Sequence, residues 1–189
     1  MPQSAARALA KIGALNGLAE HRRAAQWKVE VRRHEDDLFA RAESESALPL
    51  VPMNPVERLQ TDYGGTGLST GPHPMKLIRS QLPEIWRASD LARERTGTAV
   101  KIAGQVICRQ RPGTAKGFVF ISLEDETGVA NAIVTPQLFE RYRLLISEEP
   151  FLRIEGVMQN AENVIHVKAR RIEALRFREL ALPASHDFR

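Results

Sequence analysis

From Ala99 to Val134 the chain alternates apolar and polar positions in short runs broken by turn residues, the pattern of an antiparallel β-meander. Gly117 to Glu124 shows it most plainly. There Val119, Ile121 and Leu123 fall on one face of a strand, and Phe118, Phe120 and Ser122 fall on the other. The aliphatic face predicts a core. The aromatic face admits two readings, a second buried layer or a platform on which bases stack, because every base offers a π-face to an aromatic ring. In the preceding run Lys101, Gln105, Arg109 and Arg111 share one parity, and Val100, Ile102, Val106 and Cys108 share the other, with Gly104 as the expected bulge. The connecting loop Arg111-Pro112-Gly113-Thr114-Ala115-Lys116 is small, polar and cationic at both ends, which suits either a phosphate backbone or simple solubility.

Beyond Val134 the period changes. Thr135 to Ser147 reads as an amphipathic helix with Leu138, Tyr142 and Leu145 in a stripe that Phe139 and Ile146 widen. Phe151 to Gln159 and Val164 to Leu175 return to strand alternation, with Gly156 as a second expected bend. In the last run His166, Lys168 and Arg170 lie opposite Ile165, Val167 and Ala169, again a basic stripe beside an apolar one. Three strands, a helix and two strands are the order of an OB-fold. The predicted fold class is therefore mainly β with α: a five-stranded OB-fold barrel over residues 98–175, preceded by a helical segment.

Residues 1–34 are helical by periodicity, one Ala-rich helix closing at Gly13 and a second running from about Ala19 through Trp27. The joint Ile12-Gly13-Ala14-Leu15-Asn16 is similar to the hairpin of a helix-hairpin-helix DNA-binding unit, where glycine lets backbone amides approach a phosphate; an ordinary αα-hairpin fits it too. His21-Arg22-Arg23 could touch phosphates or form a solvated helix face. Residues 35–55 turn acidic and then Ser/Ala/Pro-rich, and are expected to be a linker. Residues 56–97 form a helical connector: a helix from Pro55 to Asp62, a glycine-rich loop from Tyr63 to Pro74, a helix from Met75 to Gln81 and a short one from Ala88 to Arg95. Gly64-Gly65-Thr66-Gly67 is not a nucleotide loop, because no strand precedes it and no Gly-Lys-Ser/Thr follows. The tail 176–189 has mixed charge and little periodicity and is expected to be poorly ordered.

Composition narrows the function. The chain of 189 residues is 43% hydrophobic and 26% charged, ordinary globular values, and its net charge of +4 favours polyanionic partners. A single cysteine, Cys108, allows no intrachain disulfide or cysteine zinc site, and its parity predicts an inert core thiol. No apolar run reaches membrane-spanning length and no signal-peptide core opens the chain, so a cytoplasmic protein without a membrane partner is expected. Glu124-Asp125-Glu126 sits in a turn where acids serve the backbone, and His21, His34, His73, His166 and His186 lack ligand spacing. No metal, cofactor or catalytic residue is expected.

Three stretches carry a family likeness: Asp62-Tyr63 with Thr66-Gly67-Leu68 and His73-Pro74-Met75; Gly104 through Gly117, including Arg109-Gln110-Arg111-Pro112-Gly113-Thr114-Ala115-Lys116; and Leu123-Glu124-Asp125-Glu126-Thr127-Gly128. Together they resemble the C-terminal part of bacterial error-prone DNA polymerases, relatives of the replicative polymerase III alpha subunit, over about Ala8 to Leu175. The resemblance implies translesion synthesis and damage-induced mutagenesis, with single-stranded template DNA held by the helical hairpin and the OB-fold. Polymerase domains and mutagenesis accessory proteins are the further partners it implies. A full polymerase of this kind also has PHP, palm, thumb and fingers domains, and the palm's acidic metal ligands have no counterpart among these 189 residues, so this stretch alone is expected to be inactive as a nucleotidyltransferase. The candidate nucleic-acid-binding residues are Lys101, Arg109, Arg111, Lys116, Phe118, Phe120, His166, Lys168 and Arg170. Two other readings stay open: an anticodon-type OB module acting on RNA, and a protein-interaction module that recruits polymerase accessory factors.

Overall fold

The computed structural model describes residues 2–30, 50–161 and 164–176. The chain divides into two compact units between Gly71 and Pro72. The boundary lies beyond the predicted linker, most of which falls outside the described residues, as do residues 177–189 of the tail.

The first unit contains helices α1 (Gln3–Lys11), α2 (Arg22–Glu30) and α3 (Pro55–Thr66). A capping box starts α3: Glu57 N donates to Asn54 Oδ1 at 2.9 Å and Asn54 N to Glu57 Oε2 at 2.8 Å. The helix runs past its expected end at Asp62, through Gly64 and Gly65, and stops at Gly67 with φ 72°, a left-handed cap that glycine adopts without strain. The internal glycine has a packing role, since a Cβ on Gly65 would strike the Ile12 side chain. Across the unit Arg22 Nη1 donates to Asp62 Oδ1 at 2.5 Å, with Arg22 only 8% and Asp62 only 5% exposed. Ser69 Oγ donates to the other Asp62 oxygen at 2.8 Å.

In the second unit α4 (Pro74–Ile78) and short 3-10 turns lead to β1 (Ala99–Gln110), β2 (Val119–Asp125), β3 (Gly128–Val134), α5 (Pro136–Glu148), β4 (Phe151–Ala161) and β5 (Val164–Ala174). The strands close a barrel in the order β1-β2-β3-β5-β4, all neighbours antiparallel except β3 and β5, which pair in parallel through Ala132↔Val167 and Ile133↔Lys168. This is the expected OB-fold. The predicted aliphatic parity of β2 fills its interior: Val119, Ile121 and Leu123 are buried with Ile102, Val106, Ile154, Met158 and Val167. From α5 come Phe139 and Ile146. Outside the barrel a second cluster of Met75, Ile78, Ile85, Ala103 and Phe151 places α4 over β1 and β4.

Both expected bends are close backbone approaches. A Cβ on Gly104 would strike the Glu124 carbonyl oxygen, and one on Gly156 the Lys168 carbonyl oxygen. Gly156 also adjoins the β4–β5 register shift, so that prediction of a bend holds. In β1 the shift falls between Val106 and Cys108, not at Gly104, and it leaves Ile107 as the extra residue. A one-residue bulge reverses the facing of everything beyond it.

Candidate nucleic-acid interface

That reversal corrects two parity readings. Cys108 pairs with Ser122, whose partner on the far side is the exposed Asn131, so the thiol belongs to the outer sheet surface rather than the core. Arg109 pairs with the buried Ile121 and turns to the barrel end, where Nε donates to Ile146 O at 2.5 Å and Nη2 to Glu149 O at 2.6 Å. A guanidinium on the last carbonyls of a helix satisfies acceptors that have no intrahelical partner, so Arg109 caps α5.

The outer surface of β1, β2, β3 and β5 has two adjacent rows. In the first, Gln110, Phe120, Ile133 and Lys168 are successive cross-strand partners, and Phe120 is 38% exposed. The second carries Cys108, Ser122 and Asn131, with Ser122 Oγ donating to Asn131 Oδ1 at 2.9 Å. His166, one residue before the paired Val167 on β5, continues this row towards β4 and lies 3.1 Å from Gln159 Oε1 through its Nε2. Exposed aliphatic groups flank the rows, Ile107 at 41% and Val129 at 47%.

Cations border this surface on two sides. Lys168 and Arg170 are exposed on β5 and have no ion-pair partner among the described residues. Arg170 is the unpaired residue of the β4–β5 register shift, where Glu155 pairs Arg171 and Gly156 pairs Ala169. On the other side lies the β1–β2 loop. There Arg111 stacks over the Phe139 ring at 4.7 Å with Glu140 3.9 Å away, and exposed Lys116 holds φ 50°. Phe118, half-buried, sits at the loop's exit, its N–H donated to Ala115 O.

Lys101 stands elsewhere. It pairs with Glu155 of β4, and its Nζ lies 2.6 Å from Glu84 and 3.8 Å from Glu155, in a ladder that continues through Arg153, Glu173 and Arg171. The fold thus gathers Phe118, Phe120, His166, Lys168 and Arg170 with the Arg111–Lys116 loop, and separates Lys101 and Arg109 from them.

The acidic turn serves the backbone, as expected from its residues. Asp125 Oδ1 accepts from Thr127 N and Oγ1, both at 2.7 Å, and from Gly128 N; Oδ2 accepts from Ala88 N at 2.9 Å and Arg79 Nη2 at 3.2 Å. Burial is the largest single influence on the Glu126 carboxyl and works to raise it, but hydrogen bonds from Arg79 and a backbone N–H, with the charges of Arg79 and Arg87, together outweigh it and hold the group below its ordinary value. The bonds to Glu126 likewise raise Arg79. His73 caps α4 by accepting Met75 N on Nδ1, so the neutral ring carries its proton on the buried Nε2. Burial lowers its pKa, against the pull of Glu124 at 4.0 Å and of Asp125 and Glu126.

The N-terminal hairpin uses its polar groups internally. The amides of Ile12, Gly13, Ala14 and Asn16 donate to carbonyls within the turn and α1. A Cβ on Gly13 (φ 85°) would strike the Arg22 guanidinium, so this glycine makes room for a buried arginine. Arg23 pairs with Glu57 at 2.8 Å, and His21 Nδ1 accepts Ala24 N. The signal for these roles was the presence of Asp62 and Glu57 downstream, which local periodicity does not connect to α2.

Residues 100–175 match the family model described as OB-fold nucleic acid binding domain. The chain is also 40% identical over 174 residues to an error-prone DNA polymerase from Rhodopirellula baltica, covering 88% of this chain and 15% of that protein. It is homologous to a segment of error-prone DNA polymerases. A second such polymerase, from Anaeromyxobacter sp. (strain K), is 39% identical over 186 residues, 95% of this chain and 16% of its own length. The chain therefore spans about a sixth of the curated relatives it matches. Among solved structures it is similar to asparaginyl-tRNA synthetase from Pyrococcus horikoshii, with 22% identity and a TM-score of 0.43 over 49% of this chain and 22% of that one. No described helix is long and apolar enough to cross a membrane.

Proposed function

We propose that the barrel binds single-stranded DNA across the outer surface of β1, β2, β3 and β5, as the template-holding part of an error-prone polymerase in translesion synthesis and damage-induced mutagenesis. The observation that carries this is the setting of Phe120: a partly exposed ring in the middle of a sheet, beside Ile133, with Lys168, which has no ion pair among the described residues, on the strand beyond Ile133. An aromatic face supplies sequence-tolerant stacking, and cations two strands away can follow the phosphates. Phe118 extends the platform, Arg111 and Lys116 contact the backbone from the loop, and His166, Lys168 and Arg170 contact it from β5. Lys101 and Arg109 fall outside the site because Glu84 and the α5 carbonyls occupy them. The 40% identity to a polymerase segment supports DNA over RNA as the strand bound.

Fluorescence anisotropy with labelled single-stranded DNA, duplex DNA and single-stranded RNA across a salt series tests this. The expected result is preference for single-stranded DNA, a steep salt dependence and a loss of about 1–3 kcal/mol per stacked base in Phe118→Ala/Phe120→Ala. Binding indifferent to the aromatic pair in a folded variant would refute the platform, and preference for RNA would refute the assignment of the strand.

A further inference from the structure

Stacking alone discriminates poorly among bases, yet directly beside Phe120 the sheet carries hydrogen-bonding groups with a fixed orientation. Ser122 and Asn131 are cross-strand partners one row from the Phe120–Ile133 pair, so a base lying on Phe120 presents its edge to them. The hydroxyl of Ser122 donates to Asn131 Oδ1 at 2.9 Å, which takes one lone pair of that oxygen, turns it toward β2 and leaves Nδ2, with two N–H donors, without a partner among the described residues on an exposed side chain. We infer that Asn131, oriented by Ser122, reads the edge of the stacked base and gives this surface a preference for bases showing two neighbouring acceptors. Cytosine qualifies through O2 and N3, and guanine through O6 and N7. Adenine does not, because its N6 amino group stands beside both N1 and N7 and opposes a donor. Thymine separates its two carbonyl oxygens by an N3–H. The inference rests on the stacking platform proposed above, because Asn131 has no base to read unless Phe120 holds one.

The experiment compares anisotropy binding of labelled dC, dA and dT homopolymers of equal length to the full chain and to Asn131→Ala, Asn131→Asp and Phe120→Ala, with circular dichroism melts confirming that each is folded. The wild type is expected to bind the dC strand about fivefold more tightly than dA, the low end of what one well-made base contact discriminates. Asn131→Ala should abolish that ratio. Asn131→Asp replaces donors by acceptors; cytosine N4 and adenine N6 can both donate to a carboxylate, so it too should abolish the ratio, while weakening all three strands through added negative charge. A dC-to-dA ratio that is absent in the wild type, or unchanged in both Asn131 variants, overturns the inference; if Phe120→Ala still loses affinity in that case, the platform stands without it. If Phe120→Ala binds like the wild type, platform and edge reading fall together.

Discussion

Lys101 and Lys168 are the same residue type on outward-facing positions of one barrel, yet their surroundings differ in what they leave available to a ligand. Lys101 lies in the ladder with Glu84, Glu155, Arg153 and Glu173, where each cation has a carboxylate within 4.0 Å, next to the region where α4 covers Ala103 and Phe151. Lys168 stands beside Ile133, in the row that continues to Phe120, with no helix in the second cluster reaching it and no carboxylate paired to it among the described residues. The first surface has spent its charge on itself. The second has kept its charge beside exposed apolar groups, a combination that costs solvation unless a partner uses both. A count of basic residues by parity cannot tell these apart; the position of the acids does.

The strongest way to break the comparison is to damage the covered side and ask whether the open side notices. Arg79→Met would leave Asp125 and Glu126, both largely buried, without their guanidinium, and should cost about 3 kcal/mol of stability in chemical denaturation. Affinity for single-stranded DNA per folded molecule should stay unchanged. A loss of affinity without a loss of stability would mean that the two surfaces are not separate.

The two lysines provide the next test. Lys168→Glu should weaken single-stranded DNA binding several-fold and make the salt dependence shallower by about one unit of slope, the mark of a lost phosphate contact. Lys101→Glu should leave both within error. Equal effects would show that long-range charge, rather than the local surface, governs binding.

The smallest effect belongs to His73. Its pKa in the folded chain is lowered by burial, so below the unfolded value of about 6.5 the unfolded chain takes up a proton that the folded chain does not. Stability is therefore complete above that pH and declines as the pH falls through the region below it. Melting curves at stepped pH should show the decline in the wild type and a flatter profile in His73→Asn, whose amide oxygen can replace Nδ1 as the cap acceptor for Met75 N. Glu124, Asp125, Glu126 and Arg79 face this ring.

Much of the barrel was legible in the sequence because its strands obey period two: Val119, Ile121 and Leu123 are buried and Phe120 is exposed, as their alternation requires. The order of strands and helix was legible for the same reason. Cys108 and Arg109 were misread because one extra residue, Ile107, resets the period, and nothing in the run Val106-Ile107-Cys108 marks the bulge. Gly104 does carry a mark, but of close approach to the Glu124 carbonyl. In α3, Gly64 and Gly65 suggested a loop, while the capping box at Asn54 and the packing of Ile12 against Gly65 extend the helix to Thr66. The N-terminal cations illustrate a different limit. Arg22 meets Asp62 across 40 positions, a contact that no local window contains.

The barrel is sewn unevenly. Among the described residues β4 and β5 share ten register pairs, whereas β3 and β5 meet in two, Ala132↔Val167 and Ile133↔Lys168. Such a seam is where a closed sheet opens at least cost, since few ladder bonds break. Ile133 and Lys168 therefore have a second importance: whatever lies across them bridges the barrel's weakest join, and a strand resting on that surface acts as a stitch, slowing the breathing of the fold that holds it.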